Sequence, residues 1–148
     1  MVKIIISLIL YCSYSYGEIS KFDNGVAFYE SRAEGAKGQV AQSEHINSAI
    51  RLFEKSMQIP DKELDAGVYL LRCYYYKGKF VVDSKTDKKS VFNEGKALAE
   101  QLVEKYPESV AVRYWYLANL GSWSEVYGIL TAAKEGVANL MREHSEKI

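Results

Sequence analysis

Few side chains in this sequence are of the kinds that make or break bonds. The two histidines, His45 and His144, do not belong to an H-E-x-x-H zinc pattern. The sequence contains no G-x-S-x-G nucleophile turn and no glycine-rich phosphate loop. We therefore expect no catalytic residue, no metal site and no cofactor. An enzyme with an unrecognised site is the least favoured alternative.

Cys73 and the acidic residues are the remaining candidates for catalysis. Cys73 stands between apolar neighbours in a strongly helical stretch, and no histidine lies near it in sequence to act as a base. We therefore predict a small buried core residue. Glu94, Glu100 and Glu104 fall on polar faces typical of surface helices, where glutamates form ordinary pairs with lysines.

The overall charge balance excludes some classes of partner. The chain has 148 residues with 19 basic and 19 acidic side chains, so its formal net charge is zero. A protein that binds nucleic acid by displacing counterions needs a basic surface, which this composition does not favour. With 48% apolar and 13% aromatic residues, the sequence is typical of a folded domain with a real core.

Residues 1–17 have the pattern of a secretory signal peptide. Lys3 precedes a short apolar run over 4–10, and the small residues Ser15 and Gly17 come just before Glu18. The run is shorter than the about 20 residues that a membrane-spanning helix needs. We predict cleavage after Gly17 and export to the periplasm or cell envelope of a bacterium, with no membrane span in the mature chain. A first buried strand or helix is the alternative, and the bulky residue before Cys12 disfavours a lipid anchor there.

Beyond the predicted signal peptide, apolar residues recur at the spacing of amphipathic helices, and strand patterns are nearly absent. We predict one all-α domain over 18–148. Gly78 and Gly121 are taken as helix ends, and Pro60 and Pro107 as residues just beyond helix ends. The lysine-rich segment 77–89 is predicted to be a solvated mobile loop, with an acidic partner or an anionic lipid surface as its alternative role. Six helices are expected, over residues 23–36, 46–57, 64–78, 95–106, 110–121 and 126–141.

An internal sequence similarity indicates that these helices form pairs. The segment 53–57 before Pro60 is similar to the segment 102–105 before Pro107, and an aromatic-rich helix follows each. The string over 67–80, with Leu70, Tyr74 and Gly78, resembles the first helix and turn of a tetratricopeptide repeat (TPR). That resemblance implies antiparallel helix pairs stacked as a TPR-like α-solenoid. A generic helical bundle and a fragment of a longer repeat array stay open as alternatives.

A second resemblance involves the string Y-W-Y-L-A-N-L-G-S-W over 114–123. It is similar to a segment of the T-component of TRAP transporters, which are exported helical-repeat proteins of bacteria. This resemblance implies an accessory protein of the cell envelope that works beside a transporter solute-binding protein.

The TPR resemblance also implies a concave groove lined by the first helix of each pair. Tyrosine, tryptophan and arginine in such a groove are typical of binding hot spots, so we expect a protein or peptide partner. For each aromatic residue taken alone, core packing is the favoured role over ligand contact, and an acid such as Asp65 or Glu63 is the expected partner of the arginine. The groove positions carried over from the family are Tyr29, Val68, Arg72, Tyr75, Trp115 and Asn119.

Overall fold

A computed structural model describes residues 21–148, so the signal peptide predicted at 1–17 lies outside the described residues. The described part is all-helical, as predicted, and its only β-type pairing is an isolated bridge between Lys37 and Val40. None of its helices is both long and apolar enough to cross a membrane. In chain order the helices are α1 (21–30), α2 (Ser43–Ser56), α3 (Glu63–Phe80), α4 (Lys85–Lys105), α5 (Val110–Tyr127), α6 (Ile129–Lys134) and α7 (Val137–Ser145).

Local sequence explains where the central helices begin. Ser84 and Ser109 precede α4 and α5, and their hydroxyl oxygens accept hydrogen bonds from the backbone N–H of Asp87 and Val112. Pro60 opens a short 3-10 turn, Pro60–Lys62, that leads directly into α3. Proline suits this position because the first turn of a helix does not use its N–H groups.

Two groups of buried side chains hold the helices together. The first group joins α1, α2 and α3 around Phe53, Ile46 and Leu70. The second joins α3, α4, α5 and α7 around Phe92 and Leu120. Because α3 contributes to both groups, and packs against α2, α4 and α5, it is the central helix of the described chain.

Two glycines that were predicted to end helices lie inside them instead. Gly78 is buried within α3, where a Cβ atom would overlap the ring of Phe92 on α4. Gly121 lies within α5, which continues to Tyr127. The predicted caps were wrong because glycine also serves where two helices approach closely, and sequence alone does not separate these uses.

The predicted mobile loop at 77–89 is also absent. Helix α3 extends to Phe80 and α4 begins at Lys85, so only residues 81–84 connect them. The lysines therefore stand on helices. Lys79 forms an ion pair with Glu125 at 2.5 Å, and the Lys89 ammonium lies 4.6 Å from the centre of the Tyr127 ring.

The first and last predicted helices are interrupted at glycines with positive φ. The segment predicted as one helix over 126–141 divides at Gly128 (φ 91°) and Gly136 (φ 66°) into the end of α5, then α6 and α7. The first helix ends at residue 30 and passes through a 3-10 turn before Gly35 (φ 71°). These backbone conformations favour glycine and stop an α-helix, which the apolar spacing did not reveal.

Candidate functional site

A cleft of about 290 Å³ opens between α3 and the start of α5. Two of the predicted groove residues, Val68 and Arg72, lie in its wall. Both are half-buried on α3, and Val68 also packs against the second buried group, which contains Leu71. The full lining is Leu64, Asp65, Val68, Tyr69, Arg72, Ser109 and Ala111.

Arg72 lies between two aromatic rings. Its guanidinium carbon is 5.0 Å from the centre of the Tyr69 ring and 5.4 Å from that of Trp115. The arginine makes no hydrogen bond or ion pair with any described residue, and its Nε atom is buried without a partner. The expected pairing was wrong: Glu63 bonds Lys105 instead, at 2.5 and 2.6 Å.

Aromatic side chains continue from this cleft across three helices. The Tyr29 ring on α1 meets Tyr69 edge to face at 5.5 Å, and Tyr75 meets Trp115 in the same way at 5.7 Å. Tyr114 then contacts Trp115 at 5.3 Å and is 56% exposed. We call Tyr29, Tyr69, Tyr75, Tyr114 and Trp115 the aromatic band. Its ring contacts link α1, α3 and α5.

The predicted groove residues do not all reach solvent. Tyr29 is only 7% exposed, and burial raises the pKa of its phenol, so this member of the band belongs to the first buried group and does not line the groove. Asn119 is fully buried, with its amide donating hydrogen bonds to the backbone oxygens of Leu71 (3.0 Å) and Trp115 (2.9 Å). Asn119 therefore does not line the groove. It joins α3 to α5 because a buried amide needs partners.

Sequence reasoning missed Tyr69 and Tyr114. Tyr69 stands three residues before Arg72, and residues at this spacing are neighbours on a helix surface. That spacing alone predicts the contact between ring and guanidinium. Tyr114 gives no comparable signal, because its exposure depends on where α5 packs.

The predicted core role of Cys73 is confirmed. Its thiol is free and fully buried, and burial raises its pKa well above the usual range. A thiol in this state is a poor nucleophile. No cluster of three or more histidine, cysteine or acidic side chains that could hold a metal ion occurs in residues 21–148.

A second polar arrangement lies near the start of α5, where Arg113 of α5 meets His144 of α7. Arg113 is buried and donates hydrogen bonds to the Pro107 carbonyl and to Nδ1 of His144 on α7 (2.8 Å). Because a guanidinium only donates, His144 accepts at Nδ1 and is neutral. Burial and the Arg113 charge both lower the pKa of His144. The pair attaches α7 to α5, and the Tyr116 ring covers the imidazole at 4.8 Å.

This arrangement predicts that acid weakens the docking of α7. Since the folded-state pKa of His144 lies below its ordinary value of 6.5, the unfolded chain binds more protons as the pH falls through that value. The contribution of His144 to the free energy of unfolding is therefore fully present above pH 6.5. It is lost as the pH falls towards the folded-state pKa. Urea unfolding at pH about 7.5 and about 5.5, a range in which histidine titrates, measures the loss.

The control for this prediction is His144→Gln, which keeps an acceptor for Arg113 but does not titrate. We expect its unfolding midpoint to change less over the same pH range than that of the unmodified protein. The Lys147 ammonium holds the pKa of Glu143, the acidic neighbour of His144 on α7, below its ordinary value of 4.5 and therefore outside this range. Equal pH dependence in the two proteins would contradict the assignment.

Comparison with known proteins identifies no relative. No protein-family model, no curated protein and no solved structure matches the chain. The class of protein is therefore argued from the cleft and the aromatic band, together with the sequence resemblances described above.

Proposed function

We propose that this protein is an exported, non-catalytic, TPR-like scaffold that binds a protein or peptide partner through the aromatic band. The observation that supports this most is the half-buried Arg72, which lies between Tyr69 and Trp115 beside a cleft and has no acid partner in residues 21–148. Arginine and aromatic residues dominate the energetics of protein interfaces, because they offer large, rigid contact areas with polar ends.

Helix contacts support the repeat arrangement within this proposal. Helix α3 packs against the helices before and after it and also against α5. In stacked helix pairs the first helix of one pair contacts the first helix of the next, which is the relation between α3 and α5. The aromatic contacts between α1 and α3 extend the same relation to the preceding pair.

The size of the cleft is compatible with one or two side chains of a peptide and lies at the lower limit for a small-molecule pocket. Pockets that enclose drug-sized molecules have volumes of about 300–1,000 Å³. A cleft of about 290 Å³ fits one or two side chains of an extended segment, while the rest of that segment lies along the band.

Alanine substitution of Tyr75 and Trp115 tests the proposal. Partners are first captured with the unmodified protein from the envelope fraction of its source organism, and their affinities are then measured by calorimetry. We expect each substitution to weaken binding at least about tenfold, because hot-spot aromatics contribute about 1.4 kcal/mol or more. An extracytoplasmic solute-binding protein among the partners would favour the alternative role, a TRAP-type transporter accessory.

The matched control is Tyr127→Ala. Tyr127 is also a half-buried aromatic residue of α5, but it stacks on Trp123 outside the band. We expect this variant to bind like the unmodified protein. If all three variants bind equally while circular dichroism shows intact helices, the band is not the binding surface.

A further inference from the structure

The charge of Arg72 is not neutralised by any described acid. Arg72 lines the cleft, its donors make no hydrogen bond within residues 21–148, and its Nε–H is buried. The terminal N–H groups of the guanidinium are not buried in this way, so they are the donors that an acceptor in the cleft can reach. The rings of Tyr69 and Trp115 restrict the guanidinium, which lowers the entropy that binding must remove.

The start of α5 adds positive potential to the same cleft. Ser109 and Ala111 line it, and the Ser109 hydroxyl accepts from Val112. The N–H groups of Val110 and Ala111 have no partner in residues 21–148. The first turn of this 18-residue helix contains no acid to offset its dipole.

Asp65 limits which negatively charged ligands this cleft can bind. It lies in the same wall seven residues before Arg72, which corresponds to about 10 Å along a helix. A carboxylate at that distance repels a polyanion but leaves room for one negative group at Arg72. It also offers an acceptor for the N–H groups of an extended chain.

We propose that the cleft recognises a single carboxylate of the partner peptide. Paired N–H donors of the Arg72 guanidinium bind this carboxylate beside the start of α5. This inference rests on the proposed peptide-binding function. Planar guanidinium groups match carboxylate geometry, and such charge-assisted hydrogen bonds are stronger than neutral ones. An acidic side chain and a free peptide C-terminus both provide this chemistry.

Nuclear magnetic resonance with three matched acetylated dipeptides tests the inference. The first is leucyl-glutamate with an amidated C-terminus, the second leucyl-glutamine with a free C-terminus, and the third leucyl-glutamine amide, which has no carboxylate. We expect a saturable shift of the Arg72 Nε–H resonance with the first or second dipeptide, and which one binds better identifies the source. Binding of the third should be at least about tenfold weaker.

Substitutions distinguish a carboxylate site from general attraction. Arg72→Lys keeps the charge but loses the planar fork, so we expect it to lose about tenfold in affinity for the carboxylate dipeptide. Arg51→Met removes the same charge from the exposed surface of α2 and should bind normally. If the dipeptide amide binds as well as the others, or Arg72→Lys binds normally, the carboxylate inference is wrong while peptide binding stands. If no dipeptide shifts any resonance of the band, peptide binding at this surface fails, and the carboxylate inference fails with it.

Discussion

We expect Phe53→Ala to lower the free energy of unfolding by about 3–5 kcal/mol, the usual cost of emptying a core position of this size. The Phe53 ring is 0% exposed on α2. It stacks on Tyr69 at 4.8 Å and meets the Phe22 ring edge to face at 5.6 Å. Removing it leaves a cavity between α1, α2 and α3 that rigid helices cannot close. Urea unfolding followed by circular dichroism measures the change.

The same substitution is expected to affect the binding surface, since Tyr69 rests on Phe53 and also contacts Arg72. Phe28→Ala is the matched control, because Phe28 lies on α1 with 36% of its surface exposed. We expect it to cost less than about 1 kcal/mol, the range typical of surface positions. Similar losses for the two variants would show that Phe53 is not the centre of the N-terminal core.

The second substitution with a large expected effect on stability is at Gly95, in the middle of α4. A Cβ atom there would overlap the side-chain oxygen of Asn119 and lie 3.0 Å from its Cγ and 3.2 Å from Cβ of Tyr74. Asn119 cannot move aside without losing its hydrogen bonds to Leu71 and Trp115. We expect Gly95→Ala to lower the free energy of unfolding by about 2 kcal/mol, despite the higher helix propensity of alanine.

Gly121→Ala provides a control with the opposite sign. Gly121 is also inside a helix, but the nearest atom to its Cβ position is Cε of Met141 at 3.5 Å, an ordinary contact. Alanine there should stabilise the protein by about 0.5–1 kcal/mol, because it reduces the freedom of the unfolded chain. Thermal unfolding of both variants measures these two changes in stability. Equal shifts in the unfolding midpoint would exclude close packing as the cause of the destabilisation at Gly95.

Much of the candidate site was predictable because its parts are local. Arg72 and Tyr75 lie on one half-buried side of α3 by helical spacing, and the structure places Trp115 of α5 against both. The helical spacing on α5 also predicts that Asn119 lines the groove, but its side chain is buried. Its position depends on the angle at which α5 crosses α3 and α4, which no short-range pattern encodes.

The sequence by itself determined the helical class, because the spacing of apolar residues and the helix-start serines act within a few residues. It did not determine what each glycine does. Gly78 and Gly95 leave room for side chains of neighbouring helices, whereas Gly128 and Gly136 allow the backbone to turn. All four are the same residue type, so the residue itself does not distinguish these uses. Only the tertiary structure decided between these uses and left Arg72 without an acid partner in the described part of the chain. Both outcomes depend on contacts between helices that are distant in the chain, and such contacts form only when the core packs.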